Sequence, residues 1–284
     1  MPRSFLTTNH RYRETYGRFA WILLAHAMKT RRCLVVVLWL FASAAPVWRD
    51  ALAAFVDPLK TRAAQGEAEA QNNLGLRYYK GQGVPQDYAE ALKWFRLAAA
   101  QGNASAQTSL GVMYSQGNGV PQDYAEACKW YRLAAAQGYA TAQYNLGIAY
   151  SEGQGVPQDD AEASKWLRLA AAQGEAEAQH NLGNLYAEGR GVPQDYAEAS
   201  KWFQRAAAQG HAWAQAILGG MYASGEGIPQ DYVQAYKWFS LAAATLTEKQ
   251  GRDEAAKRRD SVAARMTPAQ LAEAQKLARD WKKQ

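Results

Sequence analysis

The sequence predicts an all-α solenoid, and three observations carry that prediction. A block of residues returns at a fixed step of 36: residues 98–133 are echoed in register from Ala134, from Ala170 and from Ala206, and a worn copy fills residues 64–97. Such a period marks a stack of one supersecondary unit, each copy packing on its neighbours. Within each block, small and apolar residues recur at helical spacing in two separate stretches. Between them lies a Gly-x-Gly-Val-Pro-Gln segment (Ile228 replaces Val in the last copy), whose glycines permit positive φ and whose proline stops the first stretch.

Taken in order, residues 1–27 hold Arg11, Arg13 and Arg18 and then an apolar piece. They read as an extension ahead of Met28, the expected initiator. Residues 28–53 read as a secretory signal peptide: Lys29, Arg31 and Arg32, an apolar run over 33–41, and small-residue sites at Ala42-Ser43-Ala44 and Ala51-Leu52-Ala53. The run is short for a spanning helix and Pro46 interrupts its continuation. Cleavage is expected to leave a mature chain beginning between Ala45 and Ala54. An uncleaved anchor is the alternative. Either way the repeats are expected outside the cytoplasm, periplasmic or secreted, with no membrane insertion of the mature chain. Residues 54–65 form half a hairpin closing the front of the stack.

Residues 66–245 hold five repeats. In the second, the first helix spans about Asn103 to Gln116 and the second is capped by Asp123, with Glu126 three residues on, a capping-box spacing. Gly138 suits the left-handed position just past the second helix. Gly75, Gly111, Gly147, Gly183 and Gly219 sit inside first helices. A mid-helix glycine costs about 1 kcal/mol relative to alanine, so the column implies close backbone contact where a β-carbon would clash. The tryptophans of the Lys-Trp pairs, Trp94, Trp130, Trp166, Trp202 and Trp238, are expected to supply the inter-helix core.

The pattern A-x-A-Q-x-x-L-G-x-x-Y-x-x-G-x-G-V-P-Q-D-Y-A-E-A-x-K-W-x-x-x-A-A-x-Q-G resembles the Sel-1-like repeat, an α/α relative of the tetratricopeptide repeat, over residues 63–245. Asp160 departs from it in place of tyrosine, and in the last copy Ile228 and Val233 replace valine and alanine. The resemblance implies antiparallel helix pairs stacked into a right-handed superhelix. It also implies a protein-binding adaptor rather than a catalyst. A cysteine-rich branch of the family is associated with β-lactam binding. Cys33 and Cys128 do not reproduce its paired cysteines, so that property does not carry over.

Residues 246–284 read as a helical cap. Thr267-Pro268-Ala269-Gln270 is a helix start, and the last helix puts Leu271, Ala274, Ala278 and Trp281 on one stripe.

Charge and motif exclude several functions. The formal charge is +6, but residues 1–53 hold eight of the 32 basic and two of the 26 acidic residues, leaving 24 of each sign beyond. No basic face for nucleic acid follows. His180 and His211 sit in no metal-ligand spacing, no nucleophile elbow or phosphate loop is present, and no cofactor is expected. Cys128 reads as a small helix residue.

What varies within a fixed frame is free to recognise something. Three first-helix columns vary: Asn72, Thr108, Tyr144, His180, Ala216; Glu67, Asn103, Tyr139, Glu175, His211; and Glu69, Ser105, Thr141, Glu177, Trp213. In tetratricopeptide-type stacks the first helices line the concave face. Tyr139, Tyr144, His180, His211 and Trp213 are therefore the candidate anchors for a protein or peptide partner, because aromatic residues dominate binding hot spots. The chain is expected to act as a monomer. A peptidoglycan or muropeptide module, or a wall hydrolase, is the alternative function.

Overall fold

The structure, a computed structural model, describes residues 58–281. The signal-peptide and start-site readings lie outside them. From residue 62 onward the described residues form one compact unit, which carries the repeats. Among the described residues there are thirteen helices and no strand. A short helix, α1 (Pro58–Ala64), comes first. Five pairs follow: α2 (Ala68–Lys80) and α3 (Tyr88–Ala100); α4 (Ala104–Gln116) and α5 (Tyr124–Ala136); α6 (Ala140–Glu152) and α7 (Asp160–Ala172); α8 (Ala176–Glu188) and α9 (Tyr196–Ala208); α10 (Ala212–Ser224) and α11 (Tyr232–Thr245). Helices α12 (Lys249–Ala263) and α13 (Pro268–Asp280) end the chain, both packed on α11. Each helix of the pairs packs on the next in sequence, as a solenoid requires.

The expected helix limits are observed. Asn103 caps α4, accepting a bond from the Ala106 amide at 2.9 Å. Asp87, Asp123, Asp159, Asp195 and Asp231 cap the second helices with their carboxylates. Gly138 lies just past α5 at φ +84°. The reciprocal half of the capping box is missing from these helices. The backbone amide that Glu126 would reach, that of Asp123, already donates to the Tyr114 carbonyl at 2.9 Å. Glu126 instead pairs with Lys129 at 2.7 Å, and Glu90, Glu162 and Glu198 pair likewise with Lys93, Lys165 and Lys201. Thr267 and Gln270 do form the complete box at the start of α13, with Pro268 in its first turn.

The core differs from expectation by one residue. Trp202 and Trp238 are buried, but Trp94, Trp130 and Trp166 are only half-buried. The fully enclosed column is the next residue: Phe95, Tyr131, Leu167, Phe203 and Phe239. One residue is a 100° turn of a helix. The Trp therefore packs toward the preceding repeat, Trp130 against the Phe95 cluster and Trp166 against the Tyr131 cluster. The following residue faces the first helix of its own repeat, where the glycine column lies. A β-carbon on Gly75 would stand 2.7 Å from the Phe95 ring, and one on Gly183 would stand 2.7 Å from the Phe203 ring. The close approach inferred for these glycines is real, but it is mainly to a side chain. True backbone approach occurs in the loops. Gly155, at φ +71°, and Gly191, at φ +66°, lie against the backbone at the start of the preceding repeat's second helix.

A polar seam runs beside this core. Gln71, Gln107, Gln143, Gln179 and Gln215 are buried. Each donates to a carbonyl at the end of the preceding helix, as Gln143 does to Ala135 at 3.3 Å and Gln71 does to Ala63 of α1 at 3.1 Å. Each also accepts from the end of its own repeat's second helix. Gln173 donates to Gln143 at 2.8 Å, and Thr245 stands in for glutamine in the fifth repeat. Asp160, the departure from the repeat pattern, has its own compensation: Arg190 of the next loop grips it with bonds of 2.8 and 3.1 Å.

Candidate functional site

The N-terminal halves of α2, α4, α6, α8 and α10 carry the three variable columns, and the structure interleaves them. A residue of the first column meets the next repeat. Asn72 donates to Ser105 at 3.3 Å, and Tyr144 lies beside Asn181. His180 stacks on His211 with ring centroids 4.4 Å apart and planes 22° from parallel. The second column consists of helix N-caps. Asn103 and His211 use their side chains as caps; Tyr139, Glu67 and Glu175 do not.

The five sequence candidates therefore differ in what they present. Trp213, 46% exposed, and Tyr139, 37% exposed, offer free aromatic surface. Trp213 lies beside Gly251 of α12, where a β-carbon would stand 3.2 Å from its ring. His211 is committed to the scaffold. Its Nδ1 accepts from the Ala214 amide at 3.1 Å, and its Nε2 meets Glu177 Oε2 at 2.9 Å. His180 is half-buried between His211 and Phe203, with Nε2 3.2 Å from the Asn184 amide and Nδ1 buried without a partner. Burial, and then the neighbouring His211, hold its pKa down at about 4, against a smaller upward pull from Glu177. Burial also pushes the Tyr144 hydroxyl upward, helped by Glu177. His180, His211 and Glu177 thus make one contiguous patch, while Tyr139 and Trp213 lie at separate helix starts.

The sequence marks Glu177 only as a member of a variable column, and does not mark the glutamine seam as a site at all. The signal for the seam was available: a glutamine returns unchanged every 36 residues beside alanines that are themselves enclosed. The sequence does not give Glu177 its partner, because that depends on where His211 sits in the next repeat.

Chemistry elsewhere is sparse. A cleft of about 260 Å³ opens beside α5 and α6, lined by Tyr131, Tyr144, Asn145 and Cys128 among others. Cys128 donates to the Gln154 carbonyl at 3.2 Å, and burial raises its thiol pKa, so it is a packing residue as expected. Among the described residues no group of His, Cys, Asp and Glu could hold a metal ion.

A family model for the Sel1 repeat matches residues 68–103, 104–139, 140–175, 176–211 and 214–244, each match starting at or close to the first residue of a first helix. The chain belongs to the Sel1 repeat family. A solved Sel1-like structure, a protective antigen of uropathogenic Escherichia coli strains, aligns at TM-score 0.65 with 34% identity. It covers 79% of this chain, which spans 56% of that one. A Sel1 repeat protein from Oxalobacter formigenes aligns at TM-score 0.61 with 37% identity, covering 65% of this chain and 76% of its own. The secretory immunoglobulin A-binding protein EsiB of Escherichia coli is 45% identical over 43 residues, 15% of this chain and 9% of EsiB. Sel1 repeats thus account for most of this chain, while the chain spans only part of these Escherichia coli relatives.

Proposed function

We propose that this Sel1 repeat chain is an exported, non-catalytic scaffold that holds a protein or peptide partner on its first-helix, concave face. One observation carries the reading. Sequence variation within a fixed repeat frame concentrates in three columns, and members of these columns meet across neighbouring repeats, Asn72 with Ser105 and His180 and Glu177 with His211. A surface built on rigid helices loses little conformational freedom on binding, so few anchors suffice. Tyr139 and Trp213 supply exposed aromatic area, and Tyr144, His180 and His211 supply a firm polar floor. The family is typically one of protein-interaction scaffolds, and one relative carries an immunoglobulin-binding name, in keeping with a protein ligand. Among the described residues no helix is long and apolar enough to cross a membrane. The export reading rests on the signal-peptide pattern of residues 28–53.

Crosslinking in the native host, followed by mass spectrometry, tests the partner. One protein should be recovered with the wild type and lost at least tenfold with a Tyr139→Ala, Trp213→Ala double variant. Equal recovery would refute the face. Retention on purified peptidoglycan with no protein captured would favour the wall-binding reading instead. N-terminal sequencing of the mature protein should read a start between Ala45 and Ala54. An intact Met1 or Met28 would defeat the cleavage expectation.

A further inference from the structure

The second helices carry their own surface pattern. Three copies of a Trp-x-x-Leu pair stand on one face of α3, α5 and α7: Trp94 with Leu97, Trp130 with Leu133, and Trp166 with Leu169. Positions three apart share a helix face. The leucines are 44%, 51% and 49% exposed, and the tryptophans are half-buried. The same pair is sealed in the last two repeats, by two different devices. In α9 the leucine is replaced by Arg205, whose guanidinium lies 4.4 Å over the Trp202 ring and leaves it 7% exposed. In α11 the pair is Trp238 and Leu241, only 8% and 9% exposed. There helix α13 packs on α11, and Trp281 stands edge-on to Trp238 at 6.5 Å. The fold thus contains a working example of what covers this face: an amphipathic helix.

Charge specifies the helix further. Arg96, Arg132 and Arg168 each precede one of the exposed leucines. Each donates to a tyrosine hydroxyl, of Tyr114, Tyr150 and Tyr186 respectively. None of the three is ion-paired among the described residues, whereas the nearby lysines Lys93, Lys129 and Lys165 already hold glutamates. Each guanidinium has five N–H donors, so most of its capacity remains for a carboxylate. We propose that the Trp/Leu/Arg face of α3, α5 and α7 docks an acidic amphipathic helix of a partner protein, seated as α13 is seated on α11. This face belongs to the second helices, so it stands or falls independently of the first-helix reading above.

The probe is a fluorescent peptide copying residues 267–281 of this chain, with Lys276→Glu and Arg279→Glu to make its polar side acidic. Full-length chain should bind it saturably. A Leu97→Ser, Leu133→Ser, Leu169→Ser variant and an Arg96→Glu, Arg132→Glu, Arg168→Glu variant should each weaken binding at least tenfold. Both sets lie on exposed positions, and unchanged helical content by circular dichroism checks that the variants are folded. No binding by wild type, or wild-type binding by either variant, would overturn the proposal. So would retention on phosphatidylcholine–phosphatidylglycerol vesicles that the same substitutions abolish while the peptide fails to bind, since the occupant would then be a membrane.

Discussion

A β-carbon on Gly147 would stand 2.8 Å from Leu167 Cγ and 3.3 Å from the Leu167 backbone nitrogen. The side chain could swing aside, but the backbone cannot. Gly147→Leu is therefore expected to destabilise the stack by about 1–3 kcal/mol through overpacking. Thermal unfolding that matches wild type would remove the claim that this column is fixed by contact. At His180 the unusual feature is a neutral imidazole. Folding depresses its pKa from 6.5 to about 4, so the unfolded chain takes up a proton first as pH falls. The contribution of neutral His180 to stability is complete above about pH 6.5 and is lost progressively toward pH 4, by at most about 3 kcal/mol. The groups facing it are His211, which opposes protonation, and Glu177, which favours it. His180→Thr, the residue found at Thr108 in the second repeat, should flatten the melting temperature across that window. An equally steep acid decline in the variant would assign the effect to other groups.

Helix limits were readable from the sequence because caps and breakers are local. Asp123, Gly138 and Thr267 each act within a few residues, and each sits where its chemistry places it. The packing faces were less legible. Trp is the larger side chain, so size alone pointed to Trp94 or Trp166 as core. The phase of the helix against its glycine partner gives that place to Phe95 and Leu167. Reciprocity of the caps was also out of reach, since it depends on the Tyr114 carbonyl reaching the Asp123 amide from another helix. The glutamine seam joins elements in a way that periodicity alone does not reveal. Gln143 links the end of α5 to α6 and the end of α7 to α6. Gln143→Leu keeps the bulk but removes two inter-helix hydrogen bonds, to the Ala135 carbonyl and from the Gln173 amide, each of which keeps its other bond to Gly138. A loss of about 1–3 kcal/mol is expected from the two lost bonds. Chemical denaturation should show it as a lowered midpoint with unchanged slope. An unshifted midpoint would mean that water replaces the amide.

In the repeats each helix packs on its sequence neighbours, so the stability of the whole is approximately a sum of repeat terms and interface terms. The ends are then not equivalent. At the back, α12 and α13 cover α11 and bury Trp238 and Leu241. At the front, α1 contributes a single buried residue, Ala63, which packs near the seam through its carbonyl bond from Gln71. The first repeat should therefore open before the others. Leu74 in α2 and Leu146 in α6 are equivalent in the repeat and buried to 1% and 0%. Truncating either to alanine should cost about 2–5 kcal/mol locally. In a globular core the two would act alike. In a stack, Leu74→Ala should only fray the front, leaving the main unfolding transition close to wild type with faster amide exchange confined to α2 and α3. Leu146→Ala weakens the middle, so it should lower the main transition or split it in two. Identical denaturation curves for the two variants would contradict nearest-neighbour coupling and make the repeats one indivisible core.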